Sequence, residues 1–182
     1  MKKIIATGLL LFSMSRVHAR MYLTRNGNIS FSSHTPLEDI EAENNEAVSV
    51  LNSATGDIEF KIAVKGFHFP KTAMEEHFND DSYMASAKYP KAAFKGKIAN
   101  ISSVNFSKDG VYTVSVNGDL TIKDVTKPAT AQGTISVRNG VVTVVSQFTV
   151  QRKDYNVIGE SFVQKKIADN IRIDVNCAYD KQ

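Results

Sequence analysis

The sequence has 182 residues, with 22 Lys and Arg against 19 Asp and Glu, a formal net charge of +3. Three of those bases, Lys2, Lys3 and Arg16, fall within the first nineteen residues, which hold no acid; without them nineteen bases meet nineteen acids and the net charge is zero. A neutral domain lacks the positive field that drives nucleic-acid binding, and about 160 residues with a single cysteine must fold on an apolar core without an internal disulfide.

Residues 1–19 read as an export signal. Lys2 and Lys3 form a basic start, residues 4–12 form an apolar run too short to span a membrane as a helix, and Val17-His18-Ala19 offers small residues for cleavage. The expected mature protein is one domain, residues 20–182, exported to the periplasm. No cysteine stands at the cleavage point, so an N-terminal lipid anchor is not expected.

From Arg20 onward, strand-like runs follow one another at short intervals, separated by sparse Gly and Pro, as in an antiparallel barrel or sandwich. Residues 22–24 and 29–33 flank Asn26-Gly27, a hairpin dipeptide, and so predict two strands. An acidic passage follows, with Glu38, Asp39, Glu41, Glu43 and Glu46. Its spacing departs from an EF-hand loop, and a solvated edge strand or loop is the expectation.

Residues 47–52 and 57–64 predict a strand pair about a turn near Gly56-Asp57. In the second, Ile58, Phe60, Ile62 and Val64 alternate with Glu59, Lys61, Ala63 and Lys65. Residues 73–79 fit a short helix, with Met74 and Phe78 sharing one face at a spacing of four. A further strand begins at Phe94.

Residues 112–128 form the dominant ribbon. Tyr112, Val114, Val116, Leu120 and Ile122 occupy one face, and Thr113, Ser115, Asn117, Asp119, Thr121 and Lys123 the other. Asn117-Gly118 inside it is either a second hairpin or a bend in one strand, and periodicity does not decide between them. Residues 131–137 and 141–150 predict a hairpin through Asn139-Gly140, with Val142, Val144, Phe148 and Val150 inward. Residues 171–179 supply the last strand, in which Cys177 takes the place of an apolar side chain.

Three passages carry a family likeness: Met74-Glu75-Glu76-His77-Phe78 with Lys88-Tyr89-Pro90 and Phe94; Gly118-Asp119-Leu120-Thr121-Ile122 with Val125-Thr126-Lys127-Pro128; and Phe148 with Asp154-Tyr155 and the final strand. On these the chain resembles the YceI-like polyisoprenoid-binding family of exported lipocalin-like proteins. The resemblance implies an all-β, extended antiparallel barrel of eight strands with a short helix near its mouth. It also implies an apolar tunnel for an isoprenoid chain or similar lipid, and one bent strand at Asn117-Gly118. The chain departs from the family pattern after the Leu-Thr-Ile motif, where Lys123-Asp124 replaces the usual histidine and glycine.

The candidate lipid-binding residues are therefore the inward ones: Phe60, Ile62 and Val64; Phe78; Phe94; Tyr112, Val114, Val116, Leu120 and Ile122; Phe148 and Val150. The same pattern serves a hollow wall or a solid core. Lys88, Lys91 and Lys127 lie in loops within reach of a polar head at the mouth, although solvated surface lysines are the expectation for all three. His34, His68 and His77 show no metal-ligand spacing, and there is no nucleophile elbow or phosphate loop, so neither catalytic residues, a metal nor a cofactor is expected. The expected partner is an isoprenoid or other long-chain lipid, collected through transient membrane contact. The rival readings are an integral outer-membrane barrel, which would turn its apolar face outward, and a small enzyme using the tunnel as a substrate pocket.

Overall fold

The computed structural model describes residues 20–161 and 163–181; the expected leader, residues 1–19, lies outside the described residues. Eight strands run in sequence: β1 (Met21–His34), β2 (Asp39–Asn52), β3 (Asp57–Ala63), β4 (Lys91–Ile98), β5 (Gly110–Ile122), β6 (Val125–Arg138), β7 (Val141–Gln151) and β8 (Asn170–Lys181). Each pairs antiparallel with the next, and β8 pairs with β1 to close the barrel. Closure leaves no sheet edge to protect. The acidic passage accordingly lies largely in β2, paired along β1, and not in an edge strand or loop.

The two ends differ. The lower end carries the short connections 53–56 and 139–140 and the loop 99–109. The upper end carries 35–38, the turn 123–124 and two long excursions, 64–90 and 152–169. The first excursion contains the helix α1 (Thr72–Asn79), close to the expected span. Glu75 in its first turn suits the positive end of the helix and accepts a hydrogen bond from the Phe69 amide at 3.1 Å. The chain leaves the helix at Asp80, whose amide donates to the His77 carbonyl.

Asn139-Gly140 forms the expected tight hairpin, with φ of 51° and 81°. Asn26-Gly27 does not: β1 runs straight through it with register shifts on either side. A Cβ on Gly27 would stand 2.6 Å from Cys177 Sγ, so the glycine is there for close packing. Asn117-Gly118 also lies inside one strand, paired at every residue with β6. The ribbon at 112–128 itself divides at Lys123-Asp124, where Lys123 takes φ of 56° and the chain reverses into β6.

Strand alternation turns apolar side chains inward and leaves Lys61, Lys95, Lys97, Asp119 and Arg172 exposed on the outer wall. A membrane-spanning barrel places its apolar band on that outer surface. The lower half is solid. Tyr22, Leu51, Val137, Val142 and Tyr179 are buried there, and Tyr22 stacks on Phe106 of the lower loop with ring centroids 5.3 Å apart. The Tyr179 hydroxyl shares a buried 2.7 Å hydrogen bond with Ser49, which removes the cost of an unpaired hydroxyl. Cys177 is fully buried, and burial pushes its thiol up to about 11.

Candidate functional site

Above this solid half the barrel is hollow. The cavity measures about 540 Å³ and opens toward the upper end. Its strand wall includes Phe60 and Ile62 of β3, Phe94 of β4, Val116, Leu120 and Ile122 of β5, and Phe148 and Val150 of β7. Phe78 of α1 completes nine of the twelve residues expected to face inward.

Val64, Val114 and Tyr112 do not line it. Val64 is buried in a 3-10 turn after β3, its amide bonded to the Pro90 carbonyl at 2.9 Å. Val114 lies one inward step below Val116, in the packed half. Tyr112 sits lower still, and its hydroxyl donates to the carbonyls of Asn105 at 3.3 Å and Lys108 at 3.2 Å. Period-two alternation fixes which face a side chain occupies and carries no information on its height along the barrel.

The roof has two parts. On one side Phe78 packs against Phe31, Phe67 and Phe69, at centroid distances of 5.4, 5.8 and 5.1 Å. These four rings seat the helix over the barrel, and all four line the cavity. Phe31, Phe67 and Phe69 are additions to the expected set; Phe67 and Phe69 stand two residues apart, out of phase with the even-numbered apolar face of β3. On the other side stands the excursion 152–169, which contributes Tyr155, Val157, Val163 and Ile167.

Arg152 organises that excursion. It is 4% exposed, and its guanidinium donates to the carbonyls of Ala168 (3.1 Å), Val157 (3.0 Å) and Ile158 (2.6 Å), and to the Asp169 carboxylate (3.2 Å). A planar fork of donors fills a ring of acceptors in a way a point charge does not. The two roof parts are tied together. Lys123 Nζ donates to the Tyr83 carbonyl at 2.9 Å and the Asn156 carbonyl at 3.0 Å, and the Gly159 amide donates to the Ser82 carbonyl at 3.1 Å. The residue by which this chain departs from the family pattern is thus a staple across its roof.

Polar groups reach the cavity chiefly near the mouth. Glu38 faces Lys71 at 2.9 Å and Lys166 at 4.0 Å, and Lys166 lines the opening. Of the three lysines considered for a head group, Lys91 and Lys127 stand in β4 and β6 and not in loops, Lys127 pairs with Asp154 at 3.2 Å and Lys88 lies over the Tyr89 ring at 5.0 Å; none of the three lines the cavity, as expected of surface lysines. Ser33 accepts from the Ala168 amide and Ser146 donates to the Gln132 carbonyl, so both serines serve the framework. Among the described residues no group of three or more His, Cys, Asp or Glu is placed to hold a metal ion.

Hydrogen bonding from Lys71 holds the Glu38 carboxyl below its ordinary value, and hydrogen bonding from Lys153, with the nearby charges of Lys153 and Arg152, does the same for Asp169. A carboxylate lowered in the folded state stabilises it above the unfolded value and loses that effect as pH falls through the lowered one. The mouth is therefore expected to loosen only below about pH 4. Hydrogen exchange in 152–169, corrected for intrinsic rate and compared with the barrel strands, should accelerate there and stay level from roughly pH 5 to 8. A mouth equally protected in acid would remove these ion pairs from the account.

A closed antiparallel barrel of eight strands, hollow at one end and roofed by a helix, defines the lipocalin-like class. Residues 13–179 match the YceI-like domain, and the chain belongs to that family. No curated protein matches its sequence. Among solved structures it is similar to a polyisoprenoid binding domain from Saccharophagus degradans implicated in plant cell wall breakdown (12% identity, TM-score 0.77, covering 91% of this chain and 100% of that one). It is also similar to BcnA of Burkholderia cenocepacia (19%, 0.70, 84% and 95%) and to the YCEI protein of Campylobacter jejuni (14%, 0.62, 82% and 90%). At these identities the shared property is the fold.

Proposed function

We propose that this chain is an exported, non-catalytic carrier that holds one isoprenoid or similar long-chain amphiphile inside the barrel, tail inward and polar head at the mouth. The observation that carries the reading is the 540 Å³ apolar cavity, open at the end where Glu38 and Lys166 stand. Its size lies within the range of about 300 to 1,000 Å³ typical of small-molecule sites. Burial of a methylene contributes about 0.8 kcal/mol, so each five-carbon isoprene unit adds roughly 3 to 4 kcal/mol before ordering costs. The polyisoprenoid binding domain of similar fold supports the choice of ligand class. The basic start, short apolar run and small cleavage residues of 1–19 support export to the periplasm, where transient contact with a membrane would supply the lipid.

The test is purification from the native cell envelope without detergent, followed by mass spectrometry of an organic extract. One long-chain amphiphile recovered in near-equal molar amount with the protein is the expected result. Protein that is lipid-free from its own envelope and gains no stability from added amphiphiles would end the carrier reading.

A further inference from the structure

We propose that the packed lower half of the barrel is a ruler, which sets about twenty carbon atoms as the tail length beyond which this chain's affinity for an amphiphile stops rising. This rests on the carrier reading and adds the length of the ligand to it. The deepest wall residues include Ile29, Val116, Val144 and Val175. One inward step further down their strands stand Gly27, Val114, Val142 and Cys177, and none of these lines the cavity. Val114, Val142 and Cys177 are fully buried, and the Cys177 sulfur occupies the space that a side chain on Gly27 would need. Ile135, in register with Val144, is likewise fully buried and closes the centre.

A second layer lies beneath this floor. Tyr22, Val137 and Tyr179 are buried there, and the loop 99–109 places Val104 and Phe106 below them. A hydrocarbon chain that reaches Val116 and Val144 has no apolar route onward, because close-packed side chains would have to be displaced. The tail must therefore end inside the well.

The volume then sets the length. A cavity of about 150 Å³ accommodates benzene, with its six carbons. The 540 Å³ well at the same occupancy takes about twenty carbons, or about four isoprene units. A shorter tail leaves wall atoms without partners. A longer one keeps its surplus units at the mouth, in water.

Competition binding with a series of prenyl alcohols of two, three, four, five, six and eight isoprene units tests this. Each unit up to the fourth should tighten Kd at least about tenfold, and further units should change it by less than about threefold. Ala131→Leu, which adds a side chain into the well, should move the break to three units; Ile135→Ala, which deepens the floor, should move it to five. The first variant fills existing space and stays informative should the second fold poorly. Affinity that climbs steadily through eight units, or a break that Ala131→Leu leaves in place, overturns the ruler while the carrier reading stands. A series in which no alcohol binds overturns the carrier reading, and the ruler with it.

Discussion

Arg152→Met should open the roof while leaving the barrel closed. Methionine keeps an unbranched apolar stem and removes every donor. The carbonyls of Val157, Ile158 and Ala168 would then lose the partner that holds them. A fully buried carbonyl left unpaired costs about 1 to 3 kcal/mol, and these three are only partly buried, so the loss should come to roughly 3 kcal/mol if the excursion stays in place. It will not stay. With that penalty, detaching 152–169 into water becomes the cheaper outcome, because Asp169 is already half exposed and solvates readily. The expected readout is a fall in Tm of at most roughly 6 to 12 °C, with hydrogen-exchange protection lost in 152–169 and retained in β2, β3 and β6. A bound amphiphile should dissociate faster. Arg152→Lys should not rescue the variant, since one ammonium cannot span four acceptors. An Arg152→Met protein with the parent's Tm and exchange pattern would show that the apolar residues of the excursion hold it unaided.

The barrel was legible because its signal is local. Period-two alternation in Ile58, Phe60 and Ile62 and in Val114, Val116, Leu120 and Ile122 fixed which side of each strand is apolar, and the family motifs supplied the strand number. What alternation cannot encode is height, and so Val116 and Val114 look alike in sequence while one faces a void and the other a packed floor. Asn-Gly occurs three times with two outcomes. At Asn139-Gly140 both residues have positive φ and a hairpin forms. At Gly27 and Gly118 the glycine has no positive φ, and a Cβ there would collide with atoms from distant strands. The dipeptide is the same, and long-range contact decides its role. Arg152 was invisible for the same reason: its acceptors gather only once β7 and β8 have paired and the chain between them folds back. The roof rings Phe67 and Phe69 fall out of phase with Ile58, Phe60 and Ile62 because a 3-10 turn at Val64–Gly66 intervenes, and only the placement of α1 shows that they cover a cavity.

Gly118→Val should be more damaging than any surface or loop substitution in the protein. Gly118 of β5 lies directly opposite Gly96 of β4. An added Cβ would stand 2.4 Å from the Lys95 carbonyl oxygen, 2.5 Å from Gly96 Cα and 2.7 Å from Phe94 Cζ. Of these only the ring can move. The other two atoms belong to the neighbouring backbone, so relief requires β4 and β5 to separate. Overpacking typically costs about 1 to 3 kcal/mol, and a clash with backbone should exceed the upper figure. Separation would also free backbone groups that a closed barrel keeps paired. Two companions identify the cause. Phe94→Leu combined with Gly118→Ala should recover little of the loss of Gly118→Ala alone, because the ring is the minor obstacle. Gly140→Ala, where nothing stands within 4 Å, should cost only about 1 kcal/mol for the left-handed backbone it strains. Thermal denaturation of the four variants measures the order. If Gly118→Val melted within a degree or two of Gly140→Ala, the close approach of β4 and β5 would not be what shapes this wall.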